Sequence, residues 1–493
     1  MWPSTFVSFI YLTPNLRLII LMKNFFNTLL VLCLTMLSAL ANNVQTTNVF
    51  LNGQNTTSHF SLINYNISWE NSWRTNTNEN NYDGVWIFAK FRKVNSGNWQ
   101  HATINYVNPG TAAACGHTQP AGSTIKTPAD GKGVWMYRST ITSGNNNWTG
   151  AKLRWNYGAD GVLDNDSVEI RLFAVEMVYC PQGAYYLGSG GSESYHFRDG
   201  VVDTYFPINS ESAIQCGTGA GQLYADQGAY ILSGTLPAAF PKGYNAFWVM
   251  KYEFSQQQYI DFLNTIDYNK YLTRNPFNSA FTLGTHPNLT APNPERAMGY
   301  ISSLDMLSWL DWAAMGPMTE LEYEKASRGS NQFPVANEYV WGNTTISGIN
   351  TASNQGSINE TWASGNCVYF ATSNALMRCG ALATPTSDRV SSGATYYGIM
   401  EMSGNAWEWA ISVGDAVGQS FNGVHGDGAL SANGNFNVVN WPNLSGQGLC
   451  IRGGAYSSMS SDFCRTSDRY YGVYSYVLKS SLNMGGRGVR TAE

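Results

Sequence analysis

From Gly329 to the C-terminus the chain strings long stretches of Gly, Asn and Ser between short aromatic motifs. Loops of that length persist in a compact domain only when something orders them, and disulfides, calcium or buried tryptophans are the available pins. The densest motif is Gly398-Ile-Met-Glu401-Met-Ser-Gly404-Asn405-Ala406-Trp407-Glu408-Trp409. Glu401 and Glu408 bracket a Gly-Asn turn whose carbonyls can point inward, a donor set suited to an oxygen cage for a hard cation. The same residues also read as a plain tight turn, with Trp407 and Trp409 in the core and both carboxylates solvated.

A chain of 493 residues exceeds one ordinary core, so two domains are expected. Charged residues make up only 12% and aromatics 14%, with 49 glycines, which reads as turn-rich and strand-heavy. The net charge is −5 and no Lys/Arg cluster occurs, so the electrostatic footprint that nucleic acid requires is missing. His59, His101, His117, His196, His286 and His425 are scattered without ligand spacing, which disfavours zinc.

Near the N-terminus, Met22-Lys23-Asn24 precedes an apolar run from Leu29 to Leu40 that ends in Ala39-Leu40-Ala41, the pattern of a cleaved export signal. Residues 1–21 read as an upstream extension, 1–41 together as extension plus signal, and the mature chain as starting near Asn42. The protein is therefore expected to be exported (secreted, periplasmic or at the cell surface), with no membrane span in the mature chain. Beyond Cys33 an odd number of cysteines remains: Cys115, Cys180, Cys216, Cys367, Cys379, Cys450 and Cys464. In an oxidising compartment at least one stays unpaired; Cys367 with Cys379, and Cys450 with Cys464, are near enough in sequence to close short disulfide loops, with connectivity open.

Residues 43–178 show short alternating runs between Asn/Gly/Ser clusters, the pattern of an antiparallel β-sandwich. Strands are expected at His59–Trp69, Gly84–Val94, Gly133–Ser139, Ala151–Tyr157 and Val168–Tyr179. In the second, Val85, Ile87, Ala89 and Phe91 form an apolar face opposite Trp86, Phe88 and Lys90, a face free to meet another sheet or domain. The Asp164-Asn165-Asp166 turn reads as a loop satisfying its own backbone or as a calcium loop. From 179 to 493 the character changes, and Ser255-Gln-Gln-Gln258 and Thr319-Glu-Leu-Glu322 are capping boxes that start helices, with a third helix expected within Ser302–Ala313.

Several motifs then occur in a fixed order: Tyr179-Cys-Pro-Gln-Gly183, Lys251-Tyr-Glu253-Phe-Ser255, Pro317-Met-Thr319-Glu320-Leu-Glu322-Tyr323-Glu324-Lys-Ala-Ser-Arg328-Gly329, Tyr339-Val-Trp341-Gly342-Asn343, Gly404-Asn405-Ala-Trp407-Glu408-Trp409, Arg452-Gly453-Gly454 and Gly488-Val489-Arg490. Together they resemble the formylglycine-generating enzyme, or sulfatase-modifying factor, family, a variant of the C-type lectin fold. The resemblance implies an α+β, C-type-lectin-like domain over 179–493, preceded by the all-β sandwich.

The family binds calcium at its Asn-Trp-Glu turn. Carried over, this implies a structural calcium held by the side chains of Glu401 and Glu408 and the carbonyls of Gly404 and Ala406, with Asn350 and Thr351 as candidates for a second site. Glu401 departs from the family's usual Asp or Asn. The family's oxidase activates oxygen at copper(I) held by two cysteine thiolates, the soft ligands that ion needs. Here Ser458 stands in the first cysteine's place, Ala455 replaces a family serine, and only Cys464 remains, one residue out of register. A hydroxyl does not replace a thiolate on copper(I), so no catalytic residue is assigned, and copper enters only under the alternative reading of a formylglycine-generating oxidase acting on sulfatase-type peptides.

Binding remains. The segment from Tyr456 to Met484 is dense in Tyr, Ser, Asp and Thr, the residues adaptable binding loops use. Candidate ligand contacts are Tyr456, Ser457, Ser458, Ser460, Asp462, Thr466, Asp468, Tyr470, Tyr471, Tyr474 and Tyr476. The segment also resembles the variable region of diversity-generating retroelement target proteins on this fold, with Cys464-Arg465 and Gly488-Val489-Arg490 as its frame; the other reading is an ordinary polar loop surface. The expected partner is a protein or a glycan.

Overall fold

Side-chain alternation along the strand Asp83–Lys93 organises the molecule. Val85, Ile87, Ala89 and Phe91 are fully buried against a three-stranded sheet of Gln45–Asn55, Phe60–Arg74 and Thr142–Trp155, whose Ile63, Tyr65, Trp69, Leu153 and Trp155 complete that core. On the opposite face Trp86 and Phe88 enter a second core with Trp248, Trp309, Trp312 and Trp409. The indole of Trp86 donates to the Ala313 carbonyl at 2.9 Å, and Lys90, buried on the same face, donates to the Gly428 carbonyl at 2.7 Å. A strand covered on both faces explains why its polar-looking side still lacks solvated residues.

The computed structural model describes residues 44–492 apart from 95, 97, 201, 203, 228–229, 277–281, 350–351, 371–375, 385, 443 and 475–482. The export segment, Asn350, Thr351 and Tyr476 lie outside the described residues. Strand accounts for 33% and helix for 11%, an α+β composition.

Among the described residues the largest sheet has eight strands. Seven run in the order Gly316–Pro317, Gly488–Thr491, Phe247–Met250, Val168–Cys180, Asp83–Lys93, Val134–Arg138 and Ser123–Lys126, and Gln100–His101 pairs off this path. Val168–Cys180 is hydrogen-bonded to Asp83–Lys93 on one side and to Phe247–Met250 on the other, with Trp248 opposite Tyr179. The boundary expected at 178/179 therefore falls inside a strand, and the two halves share one sheet. A buried ion cluster reinforces the seam: Lys251 reaches Glu176 at 3.1 Å and Asp83 at 3.4 Å, and Asp83 also accepts from Ser72 and Trp73.

Gln256–Leu263 and Glu320–Arg328 start where the capping boxes at Ser255 and Thr319 place them, and the third helix, Ser303–Trp312, starts behind a further box at Ser302. Each box is reciprocal, as when Thr319 Oγ1 accepts from Glu322 N at 3.1 Å while Glu322 accepts from Thr319 N at 2.8 Å. Tyr268–Arg274, capped by Asp267, was not expected from the sequence pattern.

Candidate functional site

The helix Glu320–Arg328 is buried along its whole length, and its acids serve as anchors for the C-terminal loop. Glu320 receives Arg469 through both oxygens, at 2.6 and 2.9 Å, and Arg452 at 3.1 Å. Glu324 receives Arg452 at 3.0 Å, Arg328 at 3.2 Å, the Ser467 hydroxyl at 3.2 Å and the Gly188 amide at 2.8 Å. Burial pushes the Glu324 carboxyl up, but Arg328 and Arg452 outweigh it and hold it below its ordinary range. Arg452 also donates to the Thr466 carbonyl at 2.8 Å, so the turn between the two arginines is fixed at both ends.

On that frame the expected ligand residues divide. Ser457, Asp462 and Tyr470 are exposed, and Ser460, Tyr471 and Tyr474 are half-buried. Tyr456, Ser458, Thr466 and Asp468 are buried and face inward, which corrects their assignment to the surface. Ser458 Oγ accepts from Ala455 N at 2.9 Å. Asp468 accepts from Tyr470 N at 3.1 Å and Ser194 N at 3.3 Å, and burial pushes its carboxyl up to about 6. The Thr466 amide is spent on the Glu338 carbonyl. What reaches the surface is an aromatic shelf: Tyr470 and Tyr471 lie 4.8 Å apart, Tyr471 and Tyr474 5.2 Å, Phe463 and Tyr470 5.4 Å, with Trp407 beneath at 5.3 Å from Tyr471. Phe463 and Tyr195 also pack on Tyr470; no sequence signal marked them, because Phe463 is apolar and Tyr195 lies outside the Tyr456–Met484 segment.

The Glu401–Trp409 stretch forms a left-handed turn, with φ of +57° at Glu401, +88° at Gly404 and +60° at Asn405. A Cβ on Gly404 would sit 2.7 Å from both Cys367 Sγ and the Val368 carbonyl, so glycine is required there. The Asn405 side chain donates to Glu253 and accepts from Met377 N at 2.9 Å, and Ala406 N donates to Glu253 at 2.9 Å. Glu408 is fully buried and both its oxygens are taken by Arg487, at 2.7 and 2.6 Å. Glu401 Oε1 accepts from Gly380 N at 2.8 Å, while Oε2 has no hydrogen-bond partner among the described residues. Burial pushes the Glu401 carboxyl up to about 8 despite the pull of Arg487.

This arrangement does not fit the calcium cage expected from Glu401, Gly404, Ala406 and Glu408. A hard divalent cation needs several free oxygens, and here both oxygens of Glu408 are already engaged by the Arg487 guanidinium. Among the described residues no group of three or more His, Cys, Asp or Glu side chains is placed to hold a metal. In the Asp164-Asn165-Asp166 turn, Asp164 accepts from Tyr157 at 2.6 Å and lies 2.8 Å from His59, and Asp166 pairs with Lys93 at 2.7 Å. Arg487 serves the Glu408 turn, while Arg490 runs to Asp130 and the Ala314 carbonyl.

Neither short disulfide loop is present. Cys379 Sγ donates to the Glu253 carbonyl at 3.3 Å and Cys450 Sγ to the Ala410 carbonyl at 3.5 Å. Instead Cys367 and Cys464 are neighbouring free cysteines, and both side chains are fully buried. These residues do not fit an open copper(I) centre: Ser458 supplies a hydroxyl already bonded to backbone, and Cys464 lies under Gly454, where a Cβ would meet its Sγ at 2.8 Å.

A strand-rich α+β body thus fixes its long C-terminal loop onto one buried helix by arginine–glutamate pairs. Residues 210–491, more than half of the chain, match the sulfatase-modifying factor enzyme 1-like domain, and the chain belongs to that family. A comparison with curated proteins returns no match.

Proposed function

We propose that this protein is an exported binding protein that uses its sulfatase-modifying-factor domain as a scaffold and presents the aromatic shelf of Tyr470, Tyr471 and Tyr474 to a protein or glycan ligand. One observation carries the reading: the loop bearing the shelf is locked by Arg452 and Arg469 onto Glu320, while the position of the family's first catalytic cysteine is Ser458, turned inward onto Ala455. Rigid, partly exposed tyrosines give contact area at low entropy cost, which is how binding loops gain affinity. The resemblance to diversity-generating retroelement targets supports the same surface, because side chains outside the arginine–glutamate lock can vary without disturbing it.

The test pairs two measurements on the purified protein. Incubation with copper(I) and a cysteine-containing sulfatase-type peptide is expected to consume no oxygen and leave the peptide cysteine intact. Screening against glycan and protein arrays is expected to return a ligand whose binding falls at least tenfold in Tyr470→Ala. Copper-dependent conversion of the peptide cysteine would replace this reading with the oxidase.

A further inference from the structure

Cys367 and Cys464 come from segments far apart in the sequence, yet both are fastened to the same turn. Val368 forms a bridge with Gly404, Asn405 N donates to the Val368 carbonyl at 2.9 Å, and Cys367 Sγ donates to the Ser403 carbonyl at 3.2 Å. From the other side Ser403 Oγ donates to the Cys464 carbonyl at 2.6 Å, and Gly404 N to the Gly453 carbonyl at 2.7 Å. The two side chains have no exposure, both are free cysteines, and they are neighbours. Two glycines make room for them. A Cβ on Gly404 would lie 2.7 Å from one sulfur and a Cβ on Gly454 2.8 Å from the other, so the pair occupies a slot walled by backbone. Of the five other described cysteines, Cys115, Cys216, Cys379 and Cys450 each donate to a backbone carbonyl, at 3.6, 3.8, 3.3 and 3.5 Å, and Cys180 is buried beside Lys325 and Glu322.

We propose that Cys367 and Cys464 are a disulfide-forming pair that cross-links the base of the ligand loop to the segment carrying Val368. Closing the bond removes one proton and one electron from each thiol as the S–S bond forms; the electrons pass to an external disulfide, such as oxidised glutathione or a disulfide-exchange catalyst, which leaves as two thiols. The exchange takes place before the Gly404 turn closes, since the folded slot admits no reagent. A bond there fixes the start of the loop that the arginine pairs fix at its end, so the aromatic shelf is held at both sides. In the cell this rests on the export reading, because such bonds persist only in an oxidising compartment.

The experiment refolds the full chain in a mixture of oxidised and reduced glutathione, alkylates it in denaturant, and maps cysteine-containing peptides by mass spectrometry. A peptide pair linked through Cys367 and Cys464 is expected, together with a melting temperature that falls by several degrees on reduction. That fall is expected to vanish in the Cys367→Ala/Cys464→Ala double variant, whose own melting point then reports whether it folds. Alkylation of both cysteines after oxidative refolding, a link to any other cysteine, or stoichiometric copper(I) uptake lost in Cys464→Ala would each overturn the proposal. A link that forms in glutathione but is missing from protein recovered from its own cell supports the pairing and counts against export.

Discussion

Arg487 donates to both carboxylate oxygens of Glu408, at 2.7 and 2.6 Å, and neither side chain is exposed. The guanidinium stands as a covalently attached cation beside a turn at which the family uses a calcium ion. Chelation with EDTA is therefore expected to leave the melting temperature unchanged. Arg487→Met strands a buried carboxylate and is expected to cost about 3–5 kcal/mol. Thermal unfolding with and without chelator checks both, and a chelator-induced drop that disappears in Glu408→Gln would restore the metal.

The pH dependence of stability has a definite sign at Glu401. Its carboxyl is pushed from an ordinary 4.5 up to about 8 by burial, so the folded chain keeps a proton that the unfolded chain has released between those values. Stability from this group is full below the unfolded value and is lost as pH rises through the folded one, by at most about 1.4 kcal/mol for each unit. Glu401→Gln has no proton to lose. Its stability relative to the natural chain is expected to increase from pH 5 to pH 8, measured by denaturant titration at both; an equal gap would mean that Glu401 is ionised in the fold.

Glu320 carries the loop through Arg452 and Arg469. Glu320→Gln leaves two buried guanidinium groups short of charge, and a loss of about 3–5 kcal/mol is expected. Limited proteolysis should then cut between Met459 and Tyr470 long before the strands are attacked. Tyr470→Ala, by contrast, alters a side chain that is 44% exposed and is expected to change stability by no more than about 0.5 kcal/mol.

Lys251 holds Asp83 and Glu176 across the seam. Burial pushes the Asp83 carboxyl up and the lysine pulls it back, so Lys251→Met is expected to destabilise by about 3–5 kcal/mol. Because the sheet is shared, unfolding followed by tryptophan fluorescence and by far-UV circular dichroism is expected to show one coincident transition. Separate transitions would mean the two halves melt independently.

Local chemistry was legible in the sequence wherever a single segment carries it. Ser255 and Thr319 announced their helices through side chains that reach only three residues, and the alternation around Val85–Phe91 disclosed a strand with two apolar faces. Long-range pairing was not legible. Nothing local to Glu408 says that Arg487 will meet it, although an arginine behind Gly485-Gly486 in a chain with only 12% charged residues was a usable hint. Sequence proximity pointed to Cys450 as the partner of Cys464, whose neighbour is Cys367 instead. Burial misled most on the ligand loop, where Asp468 and Thr466 have surface chemistry but face the interior.

The strand Val168–Cys180, paired on both sides, constrains how this architecture can be inherited. A gene fragment starting after Cys180 would encode Phe247–Met250 with one flank stripped of its neighbour, and an unpaired hydrophobic strand edge invites aggregation. The C-terminal half expressed without Val168–Cys180 is therefore expected to aggregate. Variation in this lineage is expected to accumulate at the far rim, in side chains such as Ser457, Met459 and Tyr470, while the joint between the halves stays fixed.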